Sequence, residues 1–229
     1  MAKSTILQLV NKARANLGEI TPLTTLAGIT GRSLMAFNKI NEALRDIYSE
    51  YEGKWRFAEK VGSITLSSTS TAYTQPTDMA TEDVYSFRSE DSEDNIGYLD
   101  PQEFDYQYNV VSETGMPTKF TRFNDSFLFN KKIGASEDGK IIKYRYWNIP
   151  TQFTTGTNTS TCNIPEIFED GVLVNMATFK ILSYEGDSES SRYAIEVWGR
   201  GEKEGSLLKM ARQYKSVKLS KMRISYKGI

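Results

Sequence analysis

At 229 residues, 39% apolar and 25% charged, the chain has the make-up of a soluble globular protein large enough to bury a substantial core. A formal net charge of −1 argues against binding nucleic acid through overall charge, and the absence of histidine excludes Ser-His-Asp and Cys-His catalysis and histidine-based metal sites. The single cysteine, Cys162, cannot form an intrachain disulfide, and no run approaches the roughly 20 apolar residues of a membrane span or resembles a signal peptide, so neither export nor a membrane is expected.

Ser4 is placed to cap a first helix carrying Ile6, Val10, Ala13 and Leu17 on one face, with Gly18 as its stop. Residues 19–31, with Pro22, Gly28 and several threonines, read as a connector. From about Ser33 to Glu52, Leu34, Phe37, Ile40, Leu44, Ile47 and Tyr51 recur at steps of three and four, which predicts a longer helix ended by Gly53.

From Trp55 the period becomes two. Residues 61–66, 83–87, 119–123, 126–129 and 140–147 read as short strands, and Asn124-Asp125 supplies a hairpin turn. Asp100 and Pro101 suit the cap and first position of a short helix between strands. The threonine-rich stretch 151–161 reads as a mobile loop.

Helix returns after Pro165, with Phe168, Val172, Met176, Phe179 and Leu182 on one face and Gly186 as the stop. A last helical stretch from Ser188 carries Tyr193, Val197, Leu207, Ala211 and Tyr214. Gly199, Gly201 and Gly205 interrupt it, each costing about 1 kcal/mol relative to alanine, which leaves one weakened helix or two. Gly199–Gly205 lacks the Lys-Ser/Thr ending of a phosphate loop and reads as flexible or solvent-facing helix. Lys221–Lys227 alternates Met222, Ile224 and Tyr226 with polar residues, as an extended arm would.

Helical regions at both ends must bury their apolar faces, and packing them together does so. The expected class is α+β: a helical bundle from residues 1–56 and 163–216, a small antiparallel β domain inserted at 57–162, and an extended C-terminal arm at 217–229.

Charge is segregated. Asp78–Asp105 holds ten acids and one base, Arg88, a local charge of 1 − 10 = −9, without the glycine and glutamate positions of a calcium loop. From Ser206 onward there are seven bases (Lys209, Arg212, Lys215, Lys218, Lys221, Arg223, Lys227) and no acid. Apolar residues interleave with them, which suits docking on an acidic partner better than phosphate binding alone. No pattern asks for a cofactor.

The order of short motifs adds to this. Trp55 and Phe57 (W-x-F) follow a tyrosine-bearing helix, and Tyr73, Pro76 and Asp78 (Y-x-x-P-x-D) follow a Thr-Leu strand end. Gly115 and Pro117 precede an aromatic hairpin, and Pro165–Gly171 (P-x-x-x-x-D-G) opens a helix. Over roughly residues 33–185 this resembles the head-to-tail connector, or adaptor, proteins of tailed bacteriophages, of the tail accessory factor and tubular protein A types; Gln75 departs from the apolar residue usual before the proline.

The resemblance implies a non-enzymatic virion protein of the neck, assembled in the host cytoplasm. It would form a ring, commonly of twelve copies, beneath the portal protein, meeting downstream tail proteins and continuing the channel through which genomic DNA passes without sequence-specific binding. Portal docking then falls to the C-terminal set Lys209, Arg212, Lys215, Lys218, Lys221, Met222, Arg223, Ile224 and Tyr226. Trp55, Phe57, Tyr73, Pro76 and Asp78 are carried over as fold-defining, and Glu90, Asp91, Glu93 and Asp94 are expected on the channel or an inter-subunit surface. The rivals are a baseplate or other tail component, and a tail-associated glycan-binding or hydrolysing module, which would need two acids and stacked aromatics in a concave site.

Overall fold

The computed structural model describes residues 3–91, 94–108 and 111–215. The protein is α+β and divides into two compact units: a helical unit of residues 1–58 with 149–229, and a β unit of residues 59–148. The second boundary lies earlier than the sequence reading drew it, because residues 149–162 pack on helices. Phe153 is buried with its N–H and carbonyl both bonded to the Asn41 side chain, and the Ser160 carbonyl accepts from Ile6 N–H at 2.7 Å. The stretch expected to be a mobile loop is thereby tied along its length to the first two helices.

In the helical unit, α1 (Ile6–Asn16) buries Ile6, Val10 and Ala13 of its predicted face and Leu9 besides, with Leu17 only half-buried beyond its end. The second helix, α2 (Gly31–Ser49), buries Phe37, Ile40, Leu44 and Ile47 of its stripe together with Ala43. Each fully buried Leu or Ile contributes about 1.5–3 kcal/mol. The cap of α1 is Thr5 rather than Ser4: Thr5 Oγ1 accepts from Gln8 N–H while Gln8 Oε1 accepts from Thr5 N–H. Ser4 is buried instead, its N–H donating to Glu169 at 3.0 Å. Leu34, at the start of the α2 stripe, stays 36% exposed.

After Pro165 the helix is not uniform. A single turn, α4 (Glu166–Phe168), passes into a wider π-helical segment (Glu169–Val174) and then α5 (Asn175–Glu185), which Gly186 ends in the left-handed conformation. The interrupted stretch beyond resolves into two helices, α6 (Ser190–Trp198) and α7 (Ser206–Tyr214).

Between α6 and α7 lies a two-stranded hairpin (Gly199–Arg200 with Lys203–Glu204), not helix. Glycine is required at both ends of it. Gly199 has φ +85, and a Cβ on Gly205 would overlap the Val197 carbonyl oxygen.

The β unit pairs two sheets. One is ordered β1-β8-β3, with β4 also on β8; the other is β2-β7-β6-β5. Their ranges are β1 Glu59–Thr65, β2 Ala72–Thr74, β3 Met79–Glu82, β4 Arg88–Ser89, β5 Gly97–Tyr98, β6 Lys119–Phe123, β7 Ser126–Phe129 and β8 Ile141–Asn148. Pairing is antiparallel as expected, except that β5 runs parallel to β6. Between β5 and β6, α3 (Pro101–Tyr108) forms after its Asp100 cap, whose Oδ1 accepts from Gln102 N–H.

Residues 83–87 are a turn rather than a strand, because Asp83 closes it: its Oδ1 accepts from Tyr85 N–H and its carbonyl from the Ser86 hydroxyl at 2.7 Å. The turn inserts Phe87 between the sheets. Its ring stacks on Phe120 of β6 at 3.8 Å and on Tyr144 of β8 at 4.6 Å, at the centre of a core that includes Ile64, Leu66, Phe127 and Ile142.

Candidate functional site

The basic C-terminal set begins on α7. Leu207, Met210 and Ala211 face the helical unit and are buried, which leaves Lys209 and Arg212 on the outer face. Arg212 pairs with Glu204 of the preceding hairpin at 2.9 Å. Lys218, Lys221, Met222, Arg223, Ile224 and Tyr226 lie outside the described residues.

Lys215, just past the helix, meets an aromatic cluster. Its Nζ stands 5.2 Å from the centre of the Tyr51 ring, and its backbone bridges antiparallel to Trp55. Tyr214 meets Phe57 edge-on at 6.4 Å and Phe168 at 6.1 Å. Trp55, fully buried, donates its indole N–H to the Ile47 carbonyl at 2.7 Å and stacks on Phe57 at 5.3 Å. The two W-x-F residues thus close α2 and receive the end of α7.

The other motif residues sit in the β unit. The Tyr73 hydroxyl accepts from Ser67 N–H and lies 3.2 Å from the Ser67 carbonyl, closing the loop before β2. The Pro76 carbonyl accepts from Met79 N–H. Asp78 accepts from Lys60 and from the Tyr146 hydroxyl at 3.1 Å, which joins β3 to β1 and β8. The Lys60 ammonium, ahead of the opposing effect of burial, holds the Asp78 carboxyl below its ordinary range.

Several acids of the 78–105 stretch have structural work. Glu82, its side chain 8% exposed, pairs with Arg122 at 2.7 Å, and Glu90 pairs with Lys143 at 2.6 Å. Asp91 is exposed, as is Asp94; Glu93 lies outside the described residues. Alternation and turn chemistry cannot reveal these cross-strand partners, which lie 40 and 53 residues away.

A shallow cleft of about 300 Å³ opens on the β unit, lined among others by Val61, Asp83, Tyr85, Arg88, Lys143 and Arg145. Its one acid, Asp83, already serves the 83–87 turn, so the lining offers no acid pair for glycan hydrolysis. Among the described residues no group of three or more His, Cys, Asp or Glu could hold a metal ion, and no helix is long and apolar enough to cross a membrane.

Fold and surfaces together describe a scaffold of two units, with aromatic anchoring of the last described residues and a basic outer face on α7. The chain belongs to the SU10 adaptor protein family, whose model matches residues 4–206. It is accordingly a structural adaptor of a bacteriophage and a component of the virion. No curated protein matches it.

Proposed function

We propose that the chain is the repeating subunit of a head-to-tail connector ring at the neck of the virion, docked beneath the portal protein and continuing the DNA channel. Its role is mechanical: it joins neighbouring copies, the portal above and tail proteins below, without catalysis or a cofactor, and assembles in the host cytoplasm. Membership of the adaptor family over residues 4–206 carries this reading.

The charge distribution supports it. The family match ends at Ser206, where the acid-free segment with seven bases begins. Matched scaffold and basic segment then have separate roles: the scaffold builds the ring, and the basic set from Lys209 to Tyr226 engages an acidic surface of the portal. Glu90, Asp91, Glu93 and Asp94 face the channel or the adjoining subunit, where negative charge would keep passing DNA from adhering.

Deleting Leu219–Ile229 and mixing the protein with purified portal tests the docking. Loss of the portal complex is expected, and undiminished assembly would refute arm-mediated docking. Neutralising the four acids tests the other surface: genome retention or ring assembly should fall, and normal values for both would remove it.

A further inference from the structure

We propose that Tyr51, Trp55 and Phe57 form a seat that fixes the chain at Tyr214 and Lys215, where the basic segment passes the end of α7, with Tyr51 the positioning residue for Lys215. This rests on the arm-docking reading for its purpose, though not for its test.

The backbone after α2 is the first observation. α2 ends at Ser49 with Glu50 extended (φ −62, ψ 150), and the turn that follows closes on Gly53, left-handed at φ +70. Here two non-glycine residues precede it in the same region, Tyr51 (φ 53, ψ 40) and Glu52 (φ 64, ψ 20). Such residues persist only where surrounding contacts hold them.

Those contacts converge on the end of α7. The turn sets the Tyr51 ring edge-to-face on Trp55 at 5.4 Å, with the Lys215 ammonium 5.2 Å from the Tyr51 ring centre. Glu52, paired with Lys54 at 2.8 Å, has its carboxyl held low by Lys54 and, more weakly, by Lys215. Lys215 is extended (φ −72, ψ 132); its N–H donates to Ala211 and its backbone bridges to Trp55. Tyr214 is meanwhile held by Phe57 and Phe168.

The last two described residues are therefore gripped by ring, backbone and charge together, at the third of the seven bases. A seat of this kind keeps the start of the basic arm at one place on every subunit, so that the arms of a ring meet their partner in register and less freedom is lost on binding.

The test uses the full chain without a partner. Tryptic cleavage of the Lys215–Ser216 bond should accelerate about fivefold in Tyr51→Ala, the size of a cation–π contact, and stay at the wild-type rate in Tyr51→Phe, which keeps the ring. Unchanged cleavage in Tyr51→Ala would overturn the seat, as would Tyr51→Phe behaving like Tyr51→Ala. Because Tyr51→Ala could unfold the unit, Lys215→Gln provides a second reading by amide exchange. The amide at 215 should exchange about fivefold faster with Tm unchanged, and unaltered exchange would contradict the proposal. Failure of the wild-type chain to bind portal would count against arm docking alone.

Discussion

Gly62 of β1 and Tyr144 of β8 are cross-strand partners, and the Tyr144 ring lies over the position a side chain at 62 would occupy. A Cβ there would stand 2.6 Å from the Tyr144 hydroxyl oxygen and closer still to the ring. The ring cannot simply swing away, because it stacks on Phe87 at 4.6 Å within the core. Gly62→Ala should therefore destabilise the β unit by about 1–3 kcal/mol, the cost of overpacking, read as a lower urea midpoint. A midpoint equal to wild type would mean that the ring has room to move.

Gly205 tests the hairpin between α6 and α7. A Cβ at 205 would overlap backbone atoms, the Val197 carbonyl oxygen and the Gly199 nitrogen, which have no rotamer to change. Gly205→Ala should lower Tm and loosen α7, whereas Gly201→Ala, with nothing within 4 Å, should cost only the strain of its φ of +59, about 1 kcal/mol. Hydrogen exchange across Leu207–Ala211 would separate the two. Equal protection in both variants would contradict the steric account.

Glu42 predicts an acid-sensitive contribution in the helical unit. Hydrogen bonds from Lys180 and then Lys39 hold its carboxyl below the ordinary 4.5. A depressed folded value means the stabilisation is present above the unfolded value and is lost as pH falls through the folded one. Thermal melts should therefore show Glu42→Gln less stable than wild type at pH 7, with the gap closing below about pH 4. A gap that persists unchanged at pH 2 would exclude the ionic origin.

Cys162 is buried, and burial, ahead of smaller opposing effects, pushes its thiol up to about 11. The thiolate is the reactive form and is scarce at neutral pH. A disulfide reagent should label the native chain at pH 7 at least about a hundredfold more slowly than the chain in denaturant, the rate following thiolate fraction and exposure. Rapid native labelling would mean that the 149–162 segment opens readily.

Much of the scaffold was legible because its causes are local. The α2 stripe and the 119–129 hairpin follow from periodicity, and Asn124 takes the left-handed turn position (φ 51) to which its amide side chain is suited. Features set by distant partners were not. Ser4 reads as a cap until Thr5 takes that role and the Ser4 hydroxyl accepts from Lys12 instead, and the 83–87 segment reads as a strand until Asp83 closes it into a turn.

Gly199–Gly205 illustrates the same limit. Glycines dilute any helical pattern, but only the approach of the 205 backbone to Val197 makes them a hairpin. In the docking set, spacing exposed the basic face of α7 but not the aromatic cluster at its end. Tyr51 counted there as one more apolar residue of a helix that in fact ends at Ser49.

The most direct test of the whole account is the position of this protein in the virion. Electron microscopy of phage particles labelled on this chain should place the label at the neck, between capsid and tail, on a ring in contact with the portal. Label on the baseplate or the tail fibres would contradict the connector reading.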